Sequence, residues 1–281
     1  MFRPLSWLIF LTLHAGDGME PTDRLVPPGW QGVNPWGPAA AHAREVGELP
    51  PIPMTAAMKQ WDRWGRAVLR DGDIAFRRGD AHILFGMFPF SKFIANASGS
   101  KFSHTGVVAI EGGAPFVYDS TKAGVRRQPF AVWILDNVGP MAVRRLKAEN
   151  QSHVAAVLRF CREMYKRQVP FDYVLGLNDD ALYCVEMTEK AFRSAGLKLS
   201  DPVRIRDMEN LGKFPICTFV ILQLSTLKLD QQIYFPGNER HGIWSSPLME
   251  TVYPRPLARA TAAPAPARRA TAAEARSPGR G

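Results

Sequence analysis

The sequence predicts a single α+β domain, a small antiparallel sheet or open barrel packed against helices, and three observations carry that reading. Apolar runs of strand length stand between turn residues at 74–76, 105–110, 116–118 and 142–146. Two segments, near 55–69 and 152–165, repeat apolar residues at helical spacing. Both ends of the 281-residue chain lack such patterns, so one domain of middle size fits better than two.

Residues 1–16 have the layout of a short secretory signal peptide. One basic residue (Arg3) precedes the apolar run 5–13, then Ala15-Gly16. This predicts export, to the periplasm or cell envelope of a bacterium; a merely frayed hydrophobic start would leave the protein in the cytoplasm. Eight prolines (21, 27, 28, 35, 38, 50, 51 and 53) remove donors and break periodicity, so 17–54 reads as an extended arm. Its Trp30 and Trp36 suggest that parts of it lie on the domain surface.

The domain proper is expected over 55–253. Thr55 caps a helix to about Leu69, with Met58, Trp61, Gly65 and Val68 on one face. Gly72-Asp73 turns into the first strand at 74–76. A buried strand, 105–110, meets the turn Glu111-Gly112-Gly113 and returns as a hairpin at 116–118. The charged residues in 142–146 predict an edge strand. On the 152–165 helix, Val154, Val157, Leu158, Cys161 and Tyr165 share a face, which makes Cys161 a core residue. A further helix over 182–195 ends at Gly196, where a left-handed cap is expected. The apolar stretch 216–229 is shorter than the roughly 20 residues of a membrane span and is read as core. From 254 to 281 the Pro, Ala, Thr and Arg composition predicts a disordered tail.

That tail holds six arginines against Glu274, which is +5 of the net +9. The domain is thus only mildly basic, and no zinc-finger spacing, aromatic-basic RNA motif or basic helix is present, so nucleic acid is not an expected partner. The leader or the basic tail could hold the protein at a membrane or another anionic surface. Three cysteines (161, 184 and 217) are too few for a disulfide scaffold, and the odd number leaves at least one thiol free. No histidine spacing matches a metal motif, and no cofactor or metal is expected.

Cys184 lies in the first turn of its helix, where unpaired amide groups favour a thiolate. A small buried hydrophobe is the bland alternative. His104 opens a strand, and Asp119, 15 residues on, falls on the next strand of a hairpin, placed to orient the imidazole. Gly106 lets a neighbouring backbone or a substrate come close. Glu186, two residues past Cys184, points elsewhere on a helix and reads as compensating the helix N-terminus.

In order along the chain, Gly72-Asp73-Ile74-Ala75-Phe76, Phe102-Ser103-His104-Thr105-Gly106-Val107, Val117-Tyr118-Asp119, Phe171-Asp172-Tyr173 and Leu182-Tyr183-Cys184-Val185-Glu186 resemble the landmarks of the YiiX/YaeF permuted papain-like amidases of the NlpC-like cysteine hydrolase superfamily. The resemblance covers about residues 60 to 250, and histidine precedes cysteine, as permutation requires. It implies a circularly permuted papain-like (NlpC-like) fold and a thiol hydrolase of amidase or peptidase type, with Cys184 as nucleophile, His104 as base and Asp119 as the third polar residue. Tyr173 matches a recurrent family tyrosine that would line the cleft or support the oxyanion, although a buried aromatic explains it as well. This chain departs from the family pattern at Asp119, commonly Glu, and at Val185, commonly Ser. Small amide or ester, peptide, cell-wall and lipid substrates all stay open. So do a thiol-dependent acyltransferase of the same chemistry and a catalytically inactive binding module on the same fold.

Overall fold

The computed structural model describes residues 25, 34–82 and 88–253. The expected leader, residues 17–24 and 26–33 of the expected arm, and the expected disordered tail lie outside the described residues. Part of the described arm is helical and not extended. Pro38 stands in the first turn of helix α1 (Pro38–Glu45), a position that needs no N–H. The alanine-rich run behind it forms helix readily, and the helix is docked through buried Ala40 and Ala43, with Leu49 beside them. Trp36 is 2% exposed, and its carbonyl accepts from the Arg127 N–H at 3.1 Å. The prolines therefore frame a helix here instead of preventing one.

Helix α2 (Ala56–Val68) starts at the Thr55 cap, whose hydroxyl accepts from the Met58 N–H at 3.2 Å. The strands follow as β1 (Ile74–Arg77), β2 (His104–Glu111), β3 (Ala114–Thr121) and β4 (Gly124–Pro129). Between β1 and β2 lies helix α3 (Phe90–Ala97). After β4 come the short helix α4 (Phe130–Trp133), β5 (Met141–Leu146), helices α5 (Val154–Lys166) and α6 (Cys184–Ser194), the two-residue strand β6 (Val203–Arg204), helix α7 (Pro215–Leu224), β7 (Gln232–Ile233) and β8 (Met249–Tyr253).

Six strands form one antiparallel sheet in the order β4-β3-β2-β1-β5-β8. Alternation assigns its faces. Ile74, Phe76, Val107 and Ala109 point to one side, where Val157, Cys161, Met187 and Phe192 of α5 and α6 cover them. Ala75, Val108, Val117 and Val143 point to the other side, against Phe130, Trp133 and the partly buried Trp61 and Trp64. Helices thus cover both faces, the α+β arrangement with an open sheet and no closed barrel.

Two expectations fail here for a physical reason. Strand β5 is internal, between β1 and β8. Its charges are absorbed by partners: Arg145 reaches both Asp73 carboxylate oxygens at 2.7 Å, and the Arg144 guanidinium lies 5.3 Å over the Trp244 ring. Most of the apolar stretch 216–229, read as core, lies in helix α7, with Ile216 78% and Phe219 63% exposed, while Ile221 alone among its described side chains is buried. Apolar composition measures what burial would gain, not whether anything is there to bury against.

Candidate active site

The site forms where the sheet opens. Pairing between β2 and β3 runs from Glu111 opposite Ala114 to Val107 opposite Tyr118 and stops, while Asp119, Ser120 and Thr121 stay paired with β4. Into this opening points the N-terminus of α6. Two hydrogen bonds hold it there. Ser120 Oγ donates to the Leu182 carbonyl at 2.6 Å, and the hydroxyls of Thr105 on β2 and Thr188 on α6 meet at 2.9 Å; within the helix, Thr188 Oγ1 donates to the Cys184 carbonyl at 3.1 Å. Gly106 allows the approach of β3: a Cβ there would stand 2.4 Å from Val117 Cγ1 and 3.1 Å from the Tyr118 carbonyl. The close neighbour that Gly106 admits is therefore a strand.

Cys184 is the first residue of α6, after the N-cap Tyr183, and is partly exposed. The His104 ring and the Thr105 backbone N–H are the donor groups that favour its charged form. Strand geometry explains the second donor. Val108 N–H donates to the carbonyl of Asp73, the residue before β1, so alternate residues 106 and 104 also face β1 and the Thr105 amide faces the opposite way, where β3 has parted.

His104 is 9% exposed, and its Nε2 lies 2.7 Å from Asp119 Oδ2. Asp119 is fully buried yet saturated with donors. Arg126 Nε donates to Oδ1 at 3.0 Å and Nη2 to Oδ2 at 2.9 Å, and Trp133 Nε1 donates to Oδ2 at 2.8 Å. Arg126 sits directly opposite Asp119 on β4. Behind Trp133, the Arg77 guanidinium lies 4.4 Å over the indole and pairs with Asp136 at 3.2 Å.

Charge follows from this packing. Burial pushes the Asp119 carboxyl up, but the Arg126 charge and the His104 contact outweigh it and hold the group well below the usual carboxylate range. An ionised carboxylate only accepts, so Nε2 carries the hydrogen and Nδ1 is the ring nitrogen left for Cys184. Burial pulls the imidazole down, and the Cys184 charge with the Asp119 hydrogen bond raises it past that, to about 9. For Cys184 burial works upward, and the His104 charge, its hydrogen bond and the Thr105 amide bring the thiol below its ordinary value. The arrangement favours a thiolate beside an imidazolium, with the positive end of the α6 dipole at the sulfur.

Of the residues singled out in the sequence, Cys184, His104 and Asp119 come together. Tyr173 donates its hydroxyl to the Lys122 carbonyl at 3.1 Å and packs edge-on against Phe171 at 4.9 Å, so the contacts it makes anchor the β3–β4 turn. Glu186 is buried, accepts from the Tyr183 N–H at 3.4 Å and pairs with Lys190 at 2.9 Å. Sequence reading missed Arg126, Trp133 and the Thr105 amide. One signal for Arg126 was present: Gly124, at φ +88°, closes a turn that returns the chain beside Asp119.

With this geometry in view, the comparisons with known proteins are informative. A family model described as "Permuted papain-like amidase enzyme, YaeF/YiiX, C92 family" matches residues 68–213. The uncharacterized protein YiiX of Escherichia coli (strain K12) is 28% identical over 125 residues, which span 42% of this chain and 59% of that protein. A crystal structure titled as metalloprotein YiiX from Escherichia coli O157:H7 superposes with a TM-score of 0.53 at 22% identity, over 65% of this chain and 96% of that one, a likeness of fold. The family match covers more than half of the chain and includes His104, Asp119 and Cys184. This chain belongs to the YaeF/YiiX family of permuted papain-like amidases.

Proposed function

We propose that the protein is a cysteine hydrolase that cleaves an amide or ester bond through a thioacyl-enzyme intermediate. The observation that carries this reading is the 2.7 Å hydrogen bond from His104 to the buried Asp119 carboxylate, with Cys184 at a helix N-terminus coupled to the same imidazole. The Cys184 thiolate attacks the substrate carbonyl, forming the S–C bond as the carbonyl electron pair moves to oxygen. Backbone amides at the start of α6 receive that oxyanion in this reading. As the intermediate collapses, the bond to the leaving group breaks, and the leaving nitrogen or oxygen takes the proton from His104 Nδ1. Neutral His104 then accepts a proton from water, whose oxygen attacks the thioester. Collapse releases the acid and restores the thiolate–imidazolium pair.

Asp119 works one step back, keeping the ring oriented and its charged form favoured. The related YiiX structure is titled a metalloprotein. In this chain the donor set does not suit a cation: no three His, Cys, Asp or Glu side chains group as ligands among the described residues, and a metal at Asp119 would face the Arg126 guanidinium. No step above passes through a metal. A panel of amide and ester substrates tested with wild type and Cys184→Ala decides the proposal. Turnover by wild type alone supports it, and equal turnover by both would refute it.

A further inference from the structure

Helix α7 presents an apolar surface that the hydrolase reading does not use. Every residue from Pro215 to Leu224 except Thr218 and Gln223 is apolar or cysteine, a composition expected of a helix covered all round. Yet Ile216 is 78% and Phe219 63% exposed. They stand three positions apart, on one stripe of the helix. Exposed apolar groups on adjacent turns mark a surface that meets something.

The charges around the helix say what. From 210 to 229 the sequence contains Lys213 and Lys228 and no acid. From 81 to 110 it again contains no acid, and Lys92 and Lys101 are exposed. These two segments are joined: the Asn210 N–H donates to the Ala97 carbonyl at 2.9 Å, and Phe93 of α3 meets Phe214 with ring centres 6.2 Å apart. The acids that bound the 210–229 segment are already paired, Glu209 with Asn238 and Arg240 and Asp230 with Arg206. Apolar side chains amid lysines, without carboxylates, complement a bilayer surface that carries anionic headgroups. No helix among the described residues is long and apolar enough to cross a membrane, so contact would be at the surface.

We infer that α7, with the α3 segment beside it, docks the protein on an anionic lipid surface. The connection that holds α3 leaves the sheet between β1 and β2, at the end where His104 begins β2, so the docked face lies toward the catalytic end of the sheet. This inference does not depend on the hydrolase reading.

The test is co-sedimentation of the full chain with phosphatidylcholine vesicles, with and without phosphatidylglycerol, for wild type and the double variant Ile216→Ser/Phe219→Ser. Wild type should bind the anionic vesicles, and the double variant should lose about tenfold or more in partition while its melting temperature and Cys184 alkylation rate stay unchanged. Lys213→Glu/Lys228→Glu, which keeps the apolar groups, should lose the preference for anionic over neutral vesicles, and added salt should weaken wild-type binding. Equal partition of wild type and both double variants would overturn the inference and leave any binding to the basic tail or leader. A concentration-dependent dimer that disappears in Ile216→Ser/Phe219→Ser would overturn it too, giving the surface to a second copy of the chain.

Discussion

Two cysteines on neighbouring helices show what turns a thiol into a nucleophile. Cys161 on α5 and Cys184 on α6 both belong to the cluster that covers the same sheet face, and for both burial pushes the thiol upward. Cys161 lies on the third turn of its helix, fully covered, and is driven up to about 12. Cys184 lies at a helix start, where an imidazole and a strand amide favour its charged form, and is brought down instead. Helix position and partners, not depth, set the sign.

The largest expected effect tests that contrast outright. Cys184→Ala and His104→Ala should each abolish measurable turnover, since one removes the covalent path and the other the proton carrier. Cys161→Ala should leave turnover intact and cost on the order of 1 kcal/mol in stability, the loss of one small buried group. Thermal melts beside steady-state rates separate the two outcomes, and a catalytic defect in Cys161→Ala would erase the distinction.

Next in size come changes to the carboxylate. Asp119→Asn keeps an acceptor for the ring but loses its charge, and should lower kcat/KM on the order of 10- to 1,000-fold. The family pattern that the sequence resembles commonly has Glu here, but a longer acid has no room in this chain, because Asp119 already reaches Nε2 at 2.7 Å inside a sealed pocket. An added methylene must displace Arg126 or Trp133, so Asp119→Glu should fall at least about tenfold in activity. A Glu variant at the wild-type rate would show that the pocket yields.

Arg126→Met removes the guanidinium whose charge opposes burial at Asp119. The carboxyl should then rise toward the neutral form and hold His104 less firmly, with a loss of about 10- to 100-fold and an acid limb of the pH profile moved upward. A uniform drop at every pH, with no moved limb, would mean that Arg126 serves the fold alone.

The smallest effect is the pH profile of the wild type. Leaving-group protonation needs the imidazolium, which persists below about 9 and is lost above it. Attack needs the thiolate, which is present above a thiol value lower than ordinary. The pair titrates together, so kcat/KM should form a broad plateau through neutral pH with a basic limb near 9. A profile still rising beyond pH 9 would show that the acid is some other group.

These residues also show how far the chain could be read unfolded. The β2–β3 hairpin, the Thr55 cap and the start and stop of α6 are written in local signals: alternation, paired glycines, a hydroxyl before a helical period, Gly196 after one. His104, Asp119 and Cys184 were legible because their chemistry sits on those local elements. Strand β4 was not, since Val125-Arg126-Arg127-Gln128 reads as polar, and the carboxylates that match its arginines, Asp119 and Glu111, lie on other strands of the sheet. The internal place of β5 rests on β1, about 67 residues back, and on β8, about 107 residues on, pairings that no window of local sequence contains. The exposure of α7 is likewise set by the surface left open around it.

The central claim is that His104 lowers the Cys184 thiol below its ordinary value. Its most direct test is the pH dependence of Cys184 alkylation by iodoacetamide, followed by peptide mapping, in wild type and His104→Ala. The account predicts that the wild-type midpoint lies below the ordinary thiol value of about 8.5, and that in His104→Ala it moves up to or beyond that value. A wild-type midpoint near that ordinary value, unchanged by removing His104, would contradict it.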